Sequence, residues 1–198
     1  MSVTDVVLFS GGMDSAAILL GRDPSTTLAL FFYYDQPHQG PESRCATVFA
    51  GTHGYTMEAM RLPGLSRGIC DGPNGSPVVP GRNATFLSVA CSVAASRDAL
   101  RVWIGCTAED HKTFPDCRPQ FIRAFNGMLR ASGSPVEVLA PLVMSSKRDV
   151  ADLLRARGGD PDKTWSCYHP VSQMPRSNHA KPCGECAACI VRAKSEAR

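Results

Sequence analysis

The chain has 198 residues, of which 43% are hydrophobic and 20% charged, and its formal net charge is +3. This length and composition predict one globular domain with a small appendage. Blocks of about five or six Lys or Arg residues are absent, which argues against direct nucleic-acid binding and favours small-molecule chemistry. No apolar run approaches the roughly 18 residues of a membrane span, and the first residues lack a secretory-signal pattern. We therefore expect a cytoplasmic protein without membrane contact.

Strand and helix patterns alternate along the chain. The first apolar run, Thr4 to Ser10, stops at Gly11-Gly12 and leads into a helical pattern. A second run, Thr27 to Tyr34, has no polar alternation, which predicts a strand covered on both faces. Further helices are predicted at about 42–50, 84–97, 119–131 and 146–158, and further strands at about 55–62, 101–105 and 136–142. Such alternation predicts a Rossmann-like, doubly wound α/β parallel sheet.

Residues 63–83 interrupt this alternation and are dense in Gly and Pro. We expect a long loop there; such loops act as lids or binding loops, with plain disorder as the alternative. Asn83 ends the loop and belongs to a residue type that caps helices. We expect it to cap the helix at 84–97 rather than to contact a ligand.

The stretch FSGGMDS (9–15) lies where an open α/β sheet binds its ligands, between a strand and a helix. Two glycines allow backbone N-H groups to approach an anion, and Ser10 and Ser15 add hydroxyl donors. Asp14 is an unusual neighbour for a phosphate, and its charge fits best if Mg²⁺ lies between them. The alternative is a plain Gly-Gly turn in which Asp14 stabilises the helix start.

Nine cysteines in a reducing compartment indicate metal binding or catalysis rather than disulfides. We interpret Cys45, Cys91 and Cys106 as small buried hydrophobic residues. Three more thiols follow at three-residue steps, a spacing typical of metal ligands, but a closed zinc site needs four ligands. This triplet is Cys183, Cys186 and Cys189. By chemistry alone, three residues are candidates for the fourth ligand: Cys167, His169 and His179.

Several segments resemble one known family. S-G-G-x-D-S after a first strand resembles the PP-loop of the N-type ATP pyrophosphatases, which split ATP between its α and β phosphates. Further segments occur in the same order in the 7-cyano-7-deazaguanine (preQ0) synthases, the QueC family: YDQPHQ (34–39), VPGRNATFLSVA (79–90), IGCTAEDHKTFPDCRPQFIRAFN (104–126), APLVMSSKRDV (140–150), TWSCY (164–168) and CGECAACIVRAK (183–194). The resemblance covers essentially the whole chain.

The resemblance implies an ATP-dependent carbon-nitrogen ligase of queuosine biosynthesis. Such an enzyme converts 7-carboxy-7-deazaguanine and ammonia to the nitrile and releases AMP and pyrophosphate. A carboxylate is a poor electrophile, so it is first adenylated; ammonia then gives the amide, and a second adenylation permits dehydration. Two alternatives stay open: an adenylating enzyme that stops at the amide or uses another amine, in a biosynthetic or defence pathway, and a non-catalytic zinc-containing binding module.

The resemblance also assigns residues to ATP, which acts with Mg²⁺ as cosubstrate. Lys147 matches the family's A-P-L…K segment and could neutralise phosphate charge; the alternative is a solvated lysine paired with Asp149 or a later carboxylate. Arg82 could hold phosphate or the substrate carboxylate, because a guanidinium meets both bidentately. We assign catalysis to Asp14, Lys147 and Arg82, and the pyrophosphate loop to Ser10, Gly11, Gly12, Met13, Asp14 and Ser15.

The segment 108–118 is an acidic and aromatic loop at the same expected edge. Asp110 or Asp116 could accept from the N-H edge of a deazaguanine, Phe114 could stack on its ring, and Arg118 could clamp its carboxylate. Cys117 is a nucleophile, a structural thiol or a substrate contact. His38 could bind substrate or shuttle protons, the alternative being a lone surface histidine.

The resemblance assigns one structural Zn²⁺ to Cys167 with the cysteine triplet. The metal should clamp a C-terminal segment (159–198) onto the PP-loop domain (1–158), with the 15-residue spacer 168–182 looping out. The family is commonly homodimeric. No glutaminase module fits in the chain, so ammonia comes free or from a partner. The family stretch Asp-Tyr-Gly-Gln-Arg-His is replaced at three of six positions in residues 33–38.

Overall fold

A computed structural model of the chain describes residues 2–65, 78–172 and 180–196. Its centre is a five-stranded sheet of order β3-β2-β1-β4-β5 in which every pair is parallel. The predicted doubly wound sheet is therefore confirmed. The strands are β1 (Asp5–Leu8), β2 (Thr27–Tyr33), β3 (Thr56–Arg61), β4 (Arg101–Trp103) and β5 (Glu137–Leu139).

Helices connect these strands and cover both faces of the sheet. Successive side chains of β1 point to opposite faces, so that Val6 joins one buried cluster with Leu87 and Phe125. Val7 joins the other cluster with Phe49 and others. The helices are α1 (Met13–Leu19), α2 (Gln39–Thr52), α3 (Arg82–Ala95), α4 (Pro119–Ala131), α5 (Lys147–Ala156) and α6 (Ala187–Glu196).

The strand order positions the site. From β1 the chain first moves outward through β2 and β3, and then crosses to the other side of β1 for β4 and β5. Adjacent connections leave the carboxyl ends of β1 and β4 in opposite directions, which opens a crevice between them. Ligands of doubly wound sheets bind in this crevice.

The start of α3 differs from expectation. Asn83 lies inside the helix, which begins at Arg82, and so the prediction that Asn83 caps it is wrong. Gly81 precedes the helix with φ of 71°, a left-handed conformation open to glycine. The chain therefore turns into the helix at Gly81, and the Asn83 amide is released for contacts elsewhere. Of the expected loop 63–83, residues 66–77 lie outside the described residues.

The C-terminal segment has more regular structure than its sequence indicated. Two short strands, β6 (Val171–Ser172) and β7 (Ala180–Lys181), pair antiparallel. The two described ends of the spacer 168–182 therefore pair with each other, and residues 173–179 lie outside the described residues. Within the described ranges, no helix has both the length and the apolar character of a membrane span.

Candidate active site

The glycine turn after β1 is held in shape by close backbone packing. Gly11 has φ of 76°, and a Cβ atom there would lie 2.8 Å from the Glu42 carbonyl oxygen and 2.9 Å from the Ala46 nitrogen. Gly12 donates its N-H to Ser10 Oγ at 3.3 Å, and Ser15 Oγ donates to the Gly12 carbonyl at 3.0 Å. The two serine hydroxyls lie 3.4 Å apart. The turn thus presents hydroxyl and amide donors at the start of α1, an arrangement suited to phosphate oxygens.

A lysine and two carboxylates meet beside this turn. Lys147, the first residue of α5, places Nζ 2.5 Å from Asp14 Oδ2 and 3.4 Å from Asp110 Oδ2. Asp110 Oδ2 also accepts from Thr107 N and Oγ1, both at 2.8 Å, while Glu109 accepts the Lys147 backbone N-H at 3.0 Å. The solvated-lysine alternative, with Lys147 paired to Asp149, is wrong, because Asp149 instead caps the helix start through Ser146.

The charges of this group are set by burial and by proximity. Burial acts to lower the pKa of Lys147, but Asp14 and Asp110 raise it well above its usual value, so the lysine stays cationic. Burial raises the pKa of Asp14 by more than Lys147 lowers it. Asp14 Oδ1 is buried and has no hydrogen-bond partner among the described residues. This carboxylate oxygen lies next to a turn whose donors suit phosphate oxygens, and such an oxygen fits a Mg²⁺ ligand.

A second polar group lies at the end of β2. Gln36, 1% exposed, donates from Nε2 to Glu42 Oε2 at 3.1 Å and to the Phe32 carbonyl at 3.2 Å, and its Oε1 accepts from Tyr34 N at 2.8 Å. His38 Nε2 lies 3.4 Å from Glu42 Oε1. His38 is therefore buried with a carboxylate and is not a lone surface histidine.

The altered stretch 33–38 contains a turn at Asp35. Asp35 occupies the position of the family's glycine, and its φ of 64° is left-handed. Asp tolerates this conformation better than most residues, and its carboxylate accepts the Gly64 N-H at 2.6 Å. The replacement at this position is therefore accommodated by the turn.

Arg82 reaches the same cavity from α3. Its Nη1 lies 3.5 Å from the Tyr34 hydroxyl, and its guanidinium lies 5.8 Å from the Tyr34 ring centre and 5.7 Å from that of Phe114. These distances are within cation-π range. Burial acts to lower the pKa of Arg82, but the surrounding acidic groups raise it, so a cation is held against aromatic walls.

One cavity of about 320 Å³ joins these groups. Most of the residues predicted for the site line it, and three do not: Gly11, which shapes the turn behind it, Asp116 and Arg118. The predicted residues that line it are Ser10, Gly12, Met13, Asp14, Ser15, His38, Arg82, Asp110, Phe114, Cys117 and Lys147.

The two polar residues outside the lining have other contacts. Asp116 Oδ2 accepts the Asn83 backbone N-H at 3.2 Å, and Arg118 Nε donates to the His111 carbonyl at 2.8 Å. Cys117 is buried, and its Sγ accepts from Asn83 Nδ2 at 3.3 Å. The freed Asn83 amide therefore fixes the loop that carries Cys117.

Four thiols form a cluster beside the cavity. Cys167, Cys183, Cys186 and Cys189 place their sulfur atoms within 4.8 Å of one another. Tetrahedral zinc with bonds of about 2.3 Å separates its sulfurs by about 3.8 Å, close to the 3.5 Å between Cys167 and Cys183. Burial acts to raise the pKa of the Cys183 thiol, but backbone N-H groups, first that of Cys186, lower it to about 7. The donor set can therefore hold a metal.

The competing ligands do not join this cluster. His169 is described and stands outside the group of potential ligands, while His179 lies outside the described residues. Cys91 and Cys106 are buried as expected, but Cys45 is only half-buried and packs against the thiol cluster.

The thiol cluster and the glycine turn are direct neighbours. Trp165 donates its backbone N-H to the Gly11 carbonyl at 2.9 Å, two residues before Cys167. Arg192 of α6 donates to the Thr164 carbonyl at 3.0 Å and to the Pro161 carbonyl. α6 therefore forms part of the cavity wall, contributing Ala187, Ala188, Val191 and Arg192.

Several lining residues were not predicted from the sequence. Glu42 carried one usable signal, because it follows His38 by four residues and so shares a helix face with it. The remaining five had no chemical pattern of their own, although all of them lie in segments that resemble the family. The residues are Glu42, Phe86, Glu109, Trp165, Tyr168 and Arg192.

Comparison with known proteins gives a consistent result. The family model "Queuosine biosynthesis protein QueC" matches residues 71–197. A 7-cyano-7-deazaguanine synthase from Microcystis aeruginosa is 32% identical, covering 97% of this chain and 90% of the relative. A protein of the same name from Pseudoalteromonas atlantica is 33% identical, covering 94% of this chain and 90% of the relative.

Among solved structures, the NMN synthetase of Francisella tularensis superimposes with a TM-score of 0.53 at 16% identity. The match covers 82% of this chain and 64% of that one. At this identity the likeness concerns the fold alone, and it agrees with the parallel sheet described above.

Proposed function

The chain belongs to the QueC family, and from that premise we propose that it is the ligase that makes 7-cyano-7-deazaguanine (preQ0) from 7-carboxy-7-deazaguanine, ammonia and ATP, releasing AMP and pyrophosphate. The observation that carries the proposal is the cavity in which Lys147 and the serines of the glycine turn converge with an Asp14 oxygen that has no partner in the described structure. A binding module has no need of such an arrangement.

The first chemical step makes an acyl-adenylate. Ser10, Ser15 and the Gly12 turn hold the β and γ phosphates, and Lys147 neutralises charge as pyrophosphate departs. Bound Mg²⁺, held by Asp14, would supply further neutralisation of that charge. These groups are fixed before the reaction, because Lys147 is held by two carboxylates and its own backbone N-H by Glu109.

Residues on the other side of the cavity would orient the substrate. Arg82 would hold the carboxylate of the deazaguanine in line with the α-phosphate, with Phe114 and Tyr34 as aromatic walls. Asp110 and His38 would meet the polar edges of the ring, and Cys117 would contact its face. After ammonia has given the amide, the same loop serves the second adenylation and the dehydration to the nitrile.

We assign Zn²⁺ to the four thiols, in a structural role. Since protein ligands fill all four positions, no position is left for a reacting water. The chain divides into a PP-loop unit (1–158) and a metal-binding segment (159–198). Thiolates that bind zinc must stay reduced, which fits the cytoplasm. We further infer a homodimer that takes ammonia free or from a partner.

Product analysis tests this function. Purified protein is incubated with 7-carboxy-7-deazaguanine, ATP, Mg²⁺ and ammonium, and the products are identified by mass. We expect the nitrile, with pyrophosphate released in each adenylation and AMP released in the step that follows each, and no product from Asp14→Ala. Accumulation of the amide alone would contradict nitrile synthesis, and a lack of substrate-dependent pyrophosphate release would contradict catalysis.

A further inference from the structure

Glu42 is a half-buried carboxylate that the mechanism above leaves unused. It lies in the first turn of α2, its side chain is 14% exposed, and it lines the cavity with His38 and Arg82. Its backbone carbonyl packs against Gly11 so closely that a Cβ there would approach within 2.8 Å. Glu42 is therefore adjacent to the loop that binds ATP.

The carboxylate has spare acceptor capacity. An ionised carboxylate accepts about four hydrogen bonds, whereas the described structure gives Glu42 one, from Gln36. Both N-H groups of the Gln36 amide are used, by Phe32 and Glu42, and its oxygen accepts from Tyr34, so the side chain holds the carboxylate in place. No described cation lies within ion-pair distance of Glu42 except His38, if that ring were protonated.

The surrounding charges set what Glu42 can bind. Burial raises its pKa to about 7, with Gln36 and the Arg82 charge acting against the increase. Burial also lowers the pKa of His38 to about 4, so that ring is neutral at pH 7. Cys45, one turn further along α2, feels the Glu42 charge but has a raised pKa and stays a neutral thiol. Arg82 from α3 is thus the fixed cation that faces Glu42 and His38.

We propose that Glu42 binds the ammonium ion and accepts its proton, delivering neutral ammonia to the acyl-adenylate that Arg82 helps to position. This role rests on the proposed function. It adds the ammonium-binding site that the reaction requires. This site lies on the same wall of the cavity as Arg82, which would orient the substrate carboxylate.

Nitrogen transfer forms one C-N bond and breaks one C-O bond. NH₄⁺ gives one proton to Glu42, and the nitrogen lone pair attacks the acyl carbon to form a C-N bond. The bond from that carbon to the AMP oxygen breaks, and its electron pair leaves on AMP. The new C-NH₃⁺ group loses one proton to solvent to give the amide, and Glu42 returns its proton to solvent.

The charge of Arg82 favours proton transfer from ammonium to Glu42 over stable binding of the ammonium ion. A second cation near the guanidinium is repelled, so the proton is more easily released and neutral ammonia is retained. Free ammonium has a pKa of about 9, and its proton must be removed before it can act as a nucleophile. Hydroxylamine has a conjugate-acid pKa of about 6 and is already neutral at pH 7, so it does not need this base.

The test separates adenylation from nitrogen transfer. Glu42→Gln retains an oxygen that can accept from Gln36, and Glu137→Gln, exposed on β5, is the matched control. Substrate-dependent ATP-pyrophosphate exchange reports adenylation. Amide plus nitrile formed with ammonium, and hydroxamate formed with hydroxylamine, report nitrogen transfer.

For Glu42→Gln we expect exchange within about threefold of the parent and ammonium-dependent product reduced by about 100-fold or more at pH 7. Hydroxamate formation should persist. Ammonium-dependent turnover should recover as the pH approaches the pKa of ammonium, because neutral ammonia is then present without a base. Equal loss with ammonium and hydroxylamine, a raised KM for the deazaguanine in the exchange reaction, or unchanged ammonium use would each overturn the proposal.

The parent protein supplies a second test that does not depend on the variant's folding. Its kcat with ammonium should level off near neutral pH, whereas turnover that climbs steadily to about pH 9 would contradict a base at Glu42. Absence of exchange in the parent would contradict the proposed ligase itself, so the two failures are distinguishable.

Discussion

Lys147 Nζ and Asp14 Oδ2 lie 2.5 Å apart, although Lys147 begins the helix after the last strand of the sheet and Asp14 lies in the helix after β1. The pair spans the crevice between the two halves of the sheet. It links the helix that follows the glycine turn to α5, and Asp110 from the loop after β4 joins the pair at 3.4 Å.

Replacing Lys147 by Met should remove the charge while keeping most of the apolar stem. Because one preorganised charge donor accounts for about 10² to 10³ in rate, we expect ATP-pyrophosphate exchange to fall by that factor at saturating ATP. Lys163→Met, exposed and outside the cavity, is the matched control. A change smaller than about threefold would remove Lys147 from the catalytic group.

Gly11→Ala should disable the phosphate loop. The new Cβ meets backbone atoms at 2.8 and 2.9 Å in addition to a positive φ. Gly133→Ala has a similar φ of 74° but open space around it, and so it isolates the conformational cost, about 1 kcal/mol. We expect urea unfolding to show a larger loss for Gly11→Ala, and exchange activity to be lost in that variant alone. Equal losses of stability and normal exchange in both would contradict the packing argument.

Loss of one thiol should release the metal. Cys167→Ala removes a sulfur 3.5 Å from that of Cys183, and we expect the zinc-to-protein ratio to fall well below one with a lower Tm. Cys91→Ala is the control, because it removes a buried thiol of the main core and should reduce stability while leaving the zinc content unchanged. Zinc near one equivalent and unchanged stability in Cys167→Ala would contradict the ligand assignment.

Glu42 and His38 should contribute opposite pH dependences to stability. The pKa of Glu42 rises from 4.5 to about 7 on folding, so the folded state holds the extra proton and stability falls as pH rises between these values. The pKa of His38 falls from 6.5 to about 4, so the unfolded state holds the extra proton and stability falls as pH drops from 6.5 towards 4. The contribution of each group to the free energy of unfolding changes by at most about 3 kcal/mol over its range.

These opposite slopes nearly cancel in the parent protein between about pH 4.5 and 6.5. Relative to the parent, Glu42→Gln should gain stability as pH rises through this range, and His38→Gln should lose it. Urea unfolding at half-unit pH steps measures both differences. Parallel curves for the parent and both variants would show that neither group titrates anomalously.

The sheet could be predicted because its strands carry their own signal. β2 is buried along nearly its whole length, and only a strand covered on both faces tolerates such an apolar run. The glycine turn could be predicted as well, since two adjacent glycines between a strand and a helix indicate a turn directly in the sequence, whereas its binding of phosphate stays a prediction. These features are local, and a sequence displays local constraints directly.

Residues brought together by the fold were harder to predict. In the sequence, Glu42 has the pattern of an ordinary acidic residue on a helix surface. Only the fold brings Gly11 and Gln36 into contact with it. Asn83 looked like a cap because its residue type favours caps, but the turn at Gly81 starts the helix earlier and directs the amide to Cys117. Arg118 and Asp116 belong to the right loop, yet their side chains contact backbone groups of that loop and of α3. Side-chain direction within a loop depends on tertiary contacts that spacing does not encode.

The hydrogen bond from Trp165 to the Gly11 carbonyl bears on synthesis of the chain. Gly11 precedes β2 and Trp165 follows β5 in the chain, so the backbone group that braces the turn is synthesised after all five strands of the sheet. A fragment that ends before Trp165 retains those strands but lacks the brace, and we expect it to show no substrate-dependent ATP-pyrophosphate exchange.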